Sequence, residues 1–105
     1  MADDEFVERR FELNDQQVIA RFAKPTLEPG GEYRCGWSLQ WPDREKAAGA
    51  RGIDGVQALL LAMKTVHTQL LDSVEYKTGR LTYLDGRDFD LPPPWRLEGG
   101  GEDPN

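Results

Sequence analysis

The chain is 105 residues long, enough for one compact domain and too short for two ordinary ones. Its hydrophobic share is 38% and its charged share 30%, which places it on the polar side of normal globular composition. Nineteen acidic against thirteen basic side chains give a net charge of −6; this disfavours phosphate-directed nucleic-acid binding and permits steering toward a basic partner.

The first residues, "MADDEFVERR", lack the basic head and apolar centre of a secretory signal. No apolar run approaches the ~20 residues that span a bilayer, so the expected setting is cytoplasmic, away from membranes. Residues 1–4 are expected to be flexible, residues 5–95 to form a single domain, and residues 96–105 to be a disordered tail low in apolar content. Cys35 stands alone, so burial and not a disulfide must hold the fold.

"EFVERRFEL" and "VIARFA" read as two strands joined by a tight Asn14-Asp15 turn, because Asn and Asp tolerate positive φ. A two-residue loop pairs Phe11 with Val18, Arg9 with Ala20 and Val7 with Phe22. These pairs share one face, and only Arg9 breaks its apolar character. On the other face Glu8 meets Arg21, a complementary pair. "KPTLEPGGE" breaks any ladder with two prolines and Gly-Gly. "YRCGWSLQW" then alternates strictly, with Tyr33, Cys35, Trp37, Leu39 and Trp41 on one face, as a half-buried strand does. "PDREKAAGARG" has no periodicity and reads as a polar loop.

Asp54 with Gln57 three residues later has the form of a capping box. After it Val56, Leu59, Leu60, Met63, Val66, Leu70, Leu71 and Val74 fall in one arc at 100° per residue. The pattern predicts one helix from Gly55 to about Lys77, roughly 34 Å long, stopped at Gly79. "RLTYLDGRDFDL" reads as a strand, a three-residue turn at Asp85-Gly86-Arg87 and a short return. "PPPW" must be extended. The expected fold is α+β: a three-stranded antiparallel meander, one long amphipathic helix on one face, then one or two further strands, β-β-β-α-β-(β). A right-handed crossover would run the strand after the helix parallel to the first and third strands.

His67 projects from the centre of the apolar arc. Catalytic dyads and metal sites need companions, and the chain has no second histidine and no cysteine cluster. Cys35 shares the core face, and a thiolate–imidazole pair would be a nucleophile with its base. The reading that fits the isolated pair better is a packed, hydrogen-bonded histidine, so no catalytic residue, metal or cofactor is expected. A pocket between helix and sheet would be lined by His67, Cys35 and Trp37. Asp85, Asp88 and Asp90 lack the ligand order of a calcium loop, and Gly30-Gly31 lacks the context of a phosphate cradle.

Three tryptophans are many for this length, and Trp is enriched at binding hot spots. Trp41 at a strand end and Trp95 after the prolines are candidates for exposure. Leu61 points away from the arc, and Phe6 and Ile19 lie on the sheet face opposite the helix. Together the five are the candidate interface, unless the C-terminal arm folds back over Phe6 and Ile19.

"ERRFEL", the proline-containing loop before "YRCGWSLQW", and "GIDGVQALLLAMKTVHTQL" together resemble a family of small bacterial single-domain proteins, a domain of unknown function. The resemblance spans roughly residues 8 to 92 and implies a bacterial, intracellular setting; it carries no activity. The expected role is a non-catalytic binding or interaction module, with a protein partner or a second copy as its target. An immunity-type protein that neutralises a basic toxin, and a small-molecule binder with its pocket between helix and sheet, are the alternatives.

Overall fold

The structure, a computed structural model, describes residues 6–95. The expectations for residues 1–4 and 96–105 lie outside the described residues. In chain order the elements are β1 (Phe6–Leu13), β2 (Gln16–Ala23), β3 (Thr26–Leu27), β4 (Tyr33–Trp41), β5 (Arg44–Gly52), α1 (Gly55–Leu71), α2 (Val74–Lys77) and β6 (Leu81–Thr82). They form an α+β fold with one antiparallel sheet and one main helix. β4 pairs with β5 along its whole length on one side, so β2 and the short β3 share its other side. Across the sheet the main strands run β5-β4-β2-β1-β6.

The first hairpin has the expected register, with Phe11 opposite Val18, Arg9 opposite Ala20 and Val7 opposite Phe22. Asn14 carries the positive φ that the two-residue loop needs (58°). On the outer face Glu8 bonds Arg21 at 3.0 Å and Arg10 at 2.8 Å. Between β2 and β3 the chain gains a residue against β4: Phe22 faces Trp37, but Thr26 faces Arg34. Pro25, with no N–H for a ladder, sits in that offset. The Cys35 thiol donates to the Ala23 carbonyl there, at 3.2 Å.

Residues 44–52 correct the expected loop: they are a strand. β5 follows β4 through a two-residue Pro42-Asp43 turn, with Trp41 opposite Arg44. Its inward positions, opposite Trp41, Leu39, Trp37, Cys35 and Tyr33, are Arg44, Lys46, Ala48, Ala50 and Gly52. No apolar alternation marks them, because the strand is held by its backbone ladder. The taper from arginine to glycine sets how α1 lies. At Gly52 a Cβ would come within 2.6 Å of the Ala58 backbone nitrogen, so the start of the helix rests directly on β5. Farther along, Lys46 reaches Gln69 at 3.0 Å, and beyond the helix Arg44 reaches Glu75.

This additional strand also reverses the direction of β6. It pairs antiparallel with β1, Leu13 opposite Leu81, rather than parallel to it. The helix starts from β5 at one edge of the sheet, and the chain returns to β6 at the other.

The expected single helix is two. Asp54 caps α1 by accepting from the Gln57 backbone N–H at 2.8 Å, and the Gln57 side chain takes the Ile53 N–H at 2.8 Å. This is the reciprocal bonding of a capping box, returned one residue earlier than usual. α1 ends at Leu71 after about 25 Å. Ser73 then caps α2 by accepting from the Tyr76 N–H at 3.1 Å. Gly79, at φ 79°, closes α2 with bonds from Gly79 to Tyr76 and from Arg80 to Glu75, a Schellman ending.

The buried stripe of α1 is Ala58, Ala62, Val66 and Leu70, not the centre of the predicted arc. Alanines let the helix approach the sheet, which leaves Leu59 and Met63 at its border and Val56 and Leu60 exposed.

After β6 the chain turns at Leu84-Asp85, both at positive φ, and Tyr83 and Gly86 exchange backbone bonds. The three-residue Asp85-Gly86-Arg87 turn and the return strand are not formed. The cause lies in β1: the Glu12 carboxylate accepts from the Leu84 and Asp85 N–H groups and from the Thr82 hydroxyl. Consecutive N–H groups at positive φ make an anion-holding concavity, and these bonds hold the Glu12 carboxyl below the usual carboxylate range.

Candidate functional site

α1 covers the inner face of β4 and β5. The inner face of β1 and β2 needs another cover, and the segment from Tyr83 to Pro92 supplies it over half its length. Phe89, fully buried, packs against Phe11 (centroids 5.1 Å apart), Tyr76 (5.4 Å) and His67 (6.0 Å). Arg9, the one misfit of the hairpin's apolar face, explains itself here. Its guanidinium donates to the Phe89 and Asp90 carbonyls at 2.9 and 2.6 Å and lies over the Tyr83 ring. An arginine on a core-facing position thus fastens irregular chain to a strand that has run out of regular partners.

His67 fastens the same segment from the helix side. Its Nδ1 lies 2.7 Å from the Pro92 carbonyl; that oxygen can only accept, so Nδ1 carries the proton. From Pro92 the chain crosses α1. The Trp95 N–H donates to the Thr68 hydroxyl, its indole N–H to the Thr65 hydroxyl, and Lys64 lies over its ring. As far as the described residues run, the arm binds the helix and does not reach Phe6 or Ile19 on the far sheet face.

Cys35 and His67 do not act on each other. The thiol is fully buried and turned to the Ala23 and Gly36 carbonyls, and burial pushes its pKa up, the reverse of what a thiolate nucleophile needs. The imidazole is committed to Pro92. Trp37 is buried between Phe22 and Ala48 on neighbouring strands. Among the described residues the three thus have separate partners: the Ala23 and Gly36 carbonyls for Cys35, the Pro92 carbonyl for His67, and Phe22 and Ala48 for Trp37.

The candidate interface residues are also dispersed. Trp41 is buried, 4% exposed, beneath the Arg44 guanidinium. Phe6 (43% exposed) and the half-buried Ile19 lie on the outer sheet face, with Arg21 over the Phe6 ring. Leu61 is half-buried on α1, and Trp95 is 44% exposed on the arm. Asp85, Asp88 and Asp90 hold no metal geometry: Asp88 accepts from the Asp90 N–H, a local turn bond. Among the described residues no three His, Cys, Asp or Glu side chains stand close enough to hold a metal ion.

A concavity lies where neither cover reaches. β1 begins, β2 ends and α1 leans away toward β5, leaving a groove of about 400 Å³ lined by Phe6, Val7, Phe22, Ala23, Lys24, Pro25 and Leu59. A shoulder of about 230 Å³ shares Val7 and Phe22 and continues past Met63 to Leu91 and Pro92. Glu8, Arg9 and Asp90 line that far end. Val7 and Phe22 read as ordinary core positions in the sequence, so reasoning from residues alone passes over this site. A signal exists nonetheless: the first turns of α1, "VQALLLAM", are apolar on more of their circumference than one sheet contact can cover.

Among the described residues no helix is long and apolar enough to cross a membrane. No curated protein and no solved structure matches the chain. A family model described as "Domain of unknown function (DUF6968)" matches residues 7–93, the stretch that runs from the groove's first strand to the arm's prolines; the chain belongs to that family.

Proposed function

We propose that the protein is a non-catalytic, cytoplasmic binding module whose ligand is an apolar small molecule carrying an anionic group, received between Leu59 of α1 and the Val7–Phe22 pair. The observation that carries this reading is the lining of the groove: six of its seven residues are apolar and the seventh is Lys24. Its volume of about 400 Å³ falls in the range of small-molecule sites, which are mostly apolar with few polar groups that fix orientation. Medium-chain carboxylates are the natural probe. Each methylene that enters should tighten binding about fourfold, since burying one contributes about 0.8 kcal/mol, until the groove is full.

Calorimetric titration with a series of such carboxylates and the matching alcohols tests this. The expected result is saturable one-to-one uptake that Leu59→Arg abolishes, with Lys24→Ala weakening the carboxylates and sparing the alcohols. No saturable uptake by the wild type, or uptake unchanged in Leu59→Arg, would overturn it. A second reading is favoured by Ile53, Val56 and Leu60, all exposed at the same helix start. In that reading the groove receives an apolar side chain of a protein partner, and the wild type takes up no free carboxylate.

A further inference from the structure

The two edges of the sheet are finished differently. At the β1 edge, β6 pairs with Glu12 and Leu13, and the Arg9 side chain holds the Phe89 and Asp90 carbonyls beside that strand. At the β5 edge nothing among the described residues pairs with the strand. β5 is nine residues long and in unbroken register with β4 from Gly52 to Arg44. It has no proline and no bulge, and its charges, Arg44, Glu45 and Lys46 at one end and Arg51 at the other, flank an uncharged centre at Ala47–Ala50. Proteins ordinarily guard such an edge with those devices, because its open N–H and C=O groups are a template for another strand.

We infer that β5 is the seam of a homodimer, in which two copies pair this strand antiparallel about a two-fold axis at Ala48 and their sheets run on as one. The occupant is fixed by the strand's own charge order. A two-fold perpendicular to the sheet keeps outer face beside outer face, so residues directly opposite must share a face. Centring the pair on Ala48 puts Glu45 opposite Arg51 of the partner subunit, and Arg51 opposite the partner's Glu45. Both are outward positions and both are exposed. Glu45 has no ion pair within its own chain among the described residues. Arg51 holds Glu28 through Nε at 2.9 Å, which leaves its terminal nitrogens for a second carboxylate. Between the charges, Ala47 meets the partner's Gly49 and Ala48 meets the partner's Ala48, with no bulk to part the strands. At Gly49 a Cβ would collide with the Arg34 guanidinium, so glycine there lets Arg34 lie flat beside the seam.

The same edge carries two of the residues that stand out from the sequence. Leu61, Thr65 and Gln69 are spaced by four along one flank of α1. That flank faces β5, since Gln69 bonds Lys46, and it holds Trp95 through Thr65. A second copy across the seam brings the equivalent flank alongside. This inference does not depend on the groove, which opens beside β1 and β2.

Sedimentation equilibrium of the full chain over a concentration series tests it, with thermal unfolding as the folding control. Wild type should sediment as a dimer. Glu45→Arg places a second cation opposite Arg51, and Arg51→Glu a second anion opposite Glu45; each should raise the dissociation constant at least tenfold. The double variant Glu45→Arg with Arg51→Glu should recover the dimer. A monomeric wild type, singles that associate as tightly as wild type, or a double variant that stays dissociated would each overturn the proposal.

Discussion

Val7 and Phe11 stand on the same face of the same strand, yet Phe11 is fully enclosed and Val7 is 61% exposed. The difference is in what crosses above them. Over Phe11 lies Phe89, held down by Arg9 from the strand and by the His67–Pro92 bond from the helix. Among the described residues no ring packs down over Val7 in this way, because α1 rests on Gly52 at its start and so stands over β5 at the height where β1 begins. One end of the β1–β2 strip has been closed with irregular chain and the other left as a groove. A fold that needed only stability could have closed both.

If the closed end carries the stability, its variants should cost the most. Phe89→Ala removes the ring that joins Phe11, Tyr76 and His67, and should lower the unfolding free energy by about 3–5 kcal/mol, read from the denaturant midpoint. A loss comparable to that of a surface substitution would mean the Tyr83–Pro92 cover is not part of the folded core. Next comes the far corner, where Arg44 meets the buried Glu75 with two hydrogen bonds of 3.0 and 3.1 Å. Arg44→Ala should cost about 2 kcal/mol, toward the lower part of the range for bonds to charged groups, because the guanidinium is partly exposed.

That corner also has a pH signature. Its hydrogen bonds to Arg44 hold the Glu75 carboxyl below the usual carboxylate range. A carboxyl depressed on folding stabilises above its ordinary value, about 4.3, and the gain is lost as pH falls through the depressed one. Wild type should therefore lose stability more steeply below about pH 4 than Glu75→Gln does. Parallel acid profiles would mean the pair contributes nothing.

Smaller effects should mark the border between the two ends. His67→Ala removes one hydrogen bond to the arm, worth about 1 kcal/mol, and should speed amide exchange at Trp95 more than in the sheet. Leu59→Ala, on the wall of the groove, should cost about 1 kcal/mol, since only part of the side chain leaves water on folding. If Leu59→Ala cost as much as Phe89→Ala, the open end would be core and the contrast would fail.

The parts of this fold that are legible in sequence are those where burial selects side chains. The Phe11–Val18 register, the alternation from Tyr33 to Trp41 and the Asp54 cap all follow from periodicity or local bonding. β5 is illegible because its inward row runs Arg44, Lys46, Ala48, Ala50, Gly52, a taper that serves the tilt of α1 and imitates a loop. Without that strand the expected direction of β6 is inverted. The break after Leu71 turns on Ser73 accepting from the Tyr76 N–H, a bond that a continuous apolar arc conceals. For the site, the histidine draws attention for its chemistry and is a fastener. The groove residues draw none, because Val7, Phe22 and Leu59 look like any other core until the cover above them is seen to stop short.

The most direct measurement is a methyl-resolved NMR titration of the protein with a medium-chain carboxylate. The groove reading predicts saturable shifts at Val7, Leu59 and Met63, while the methyls of Leu13, Val18 and Leu70 stay in place. No saturable shift, or shifts that begin at Leu13 and Leu70, would contradict it.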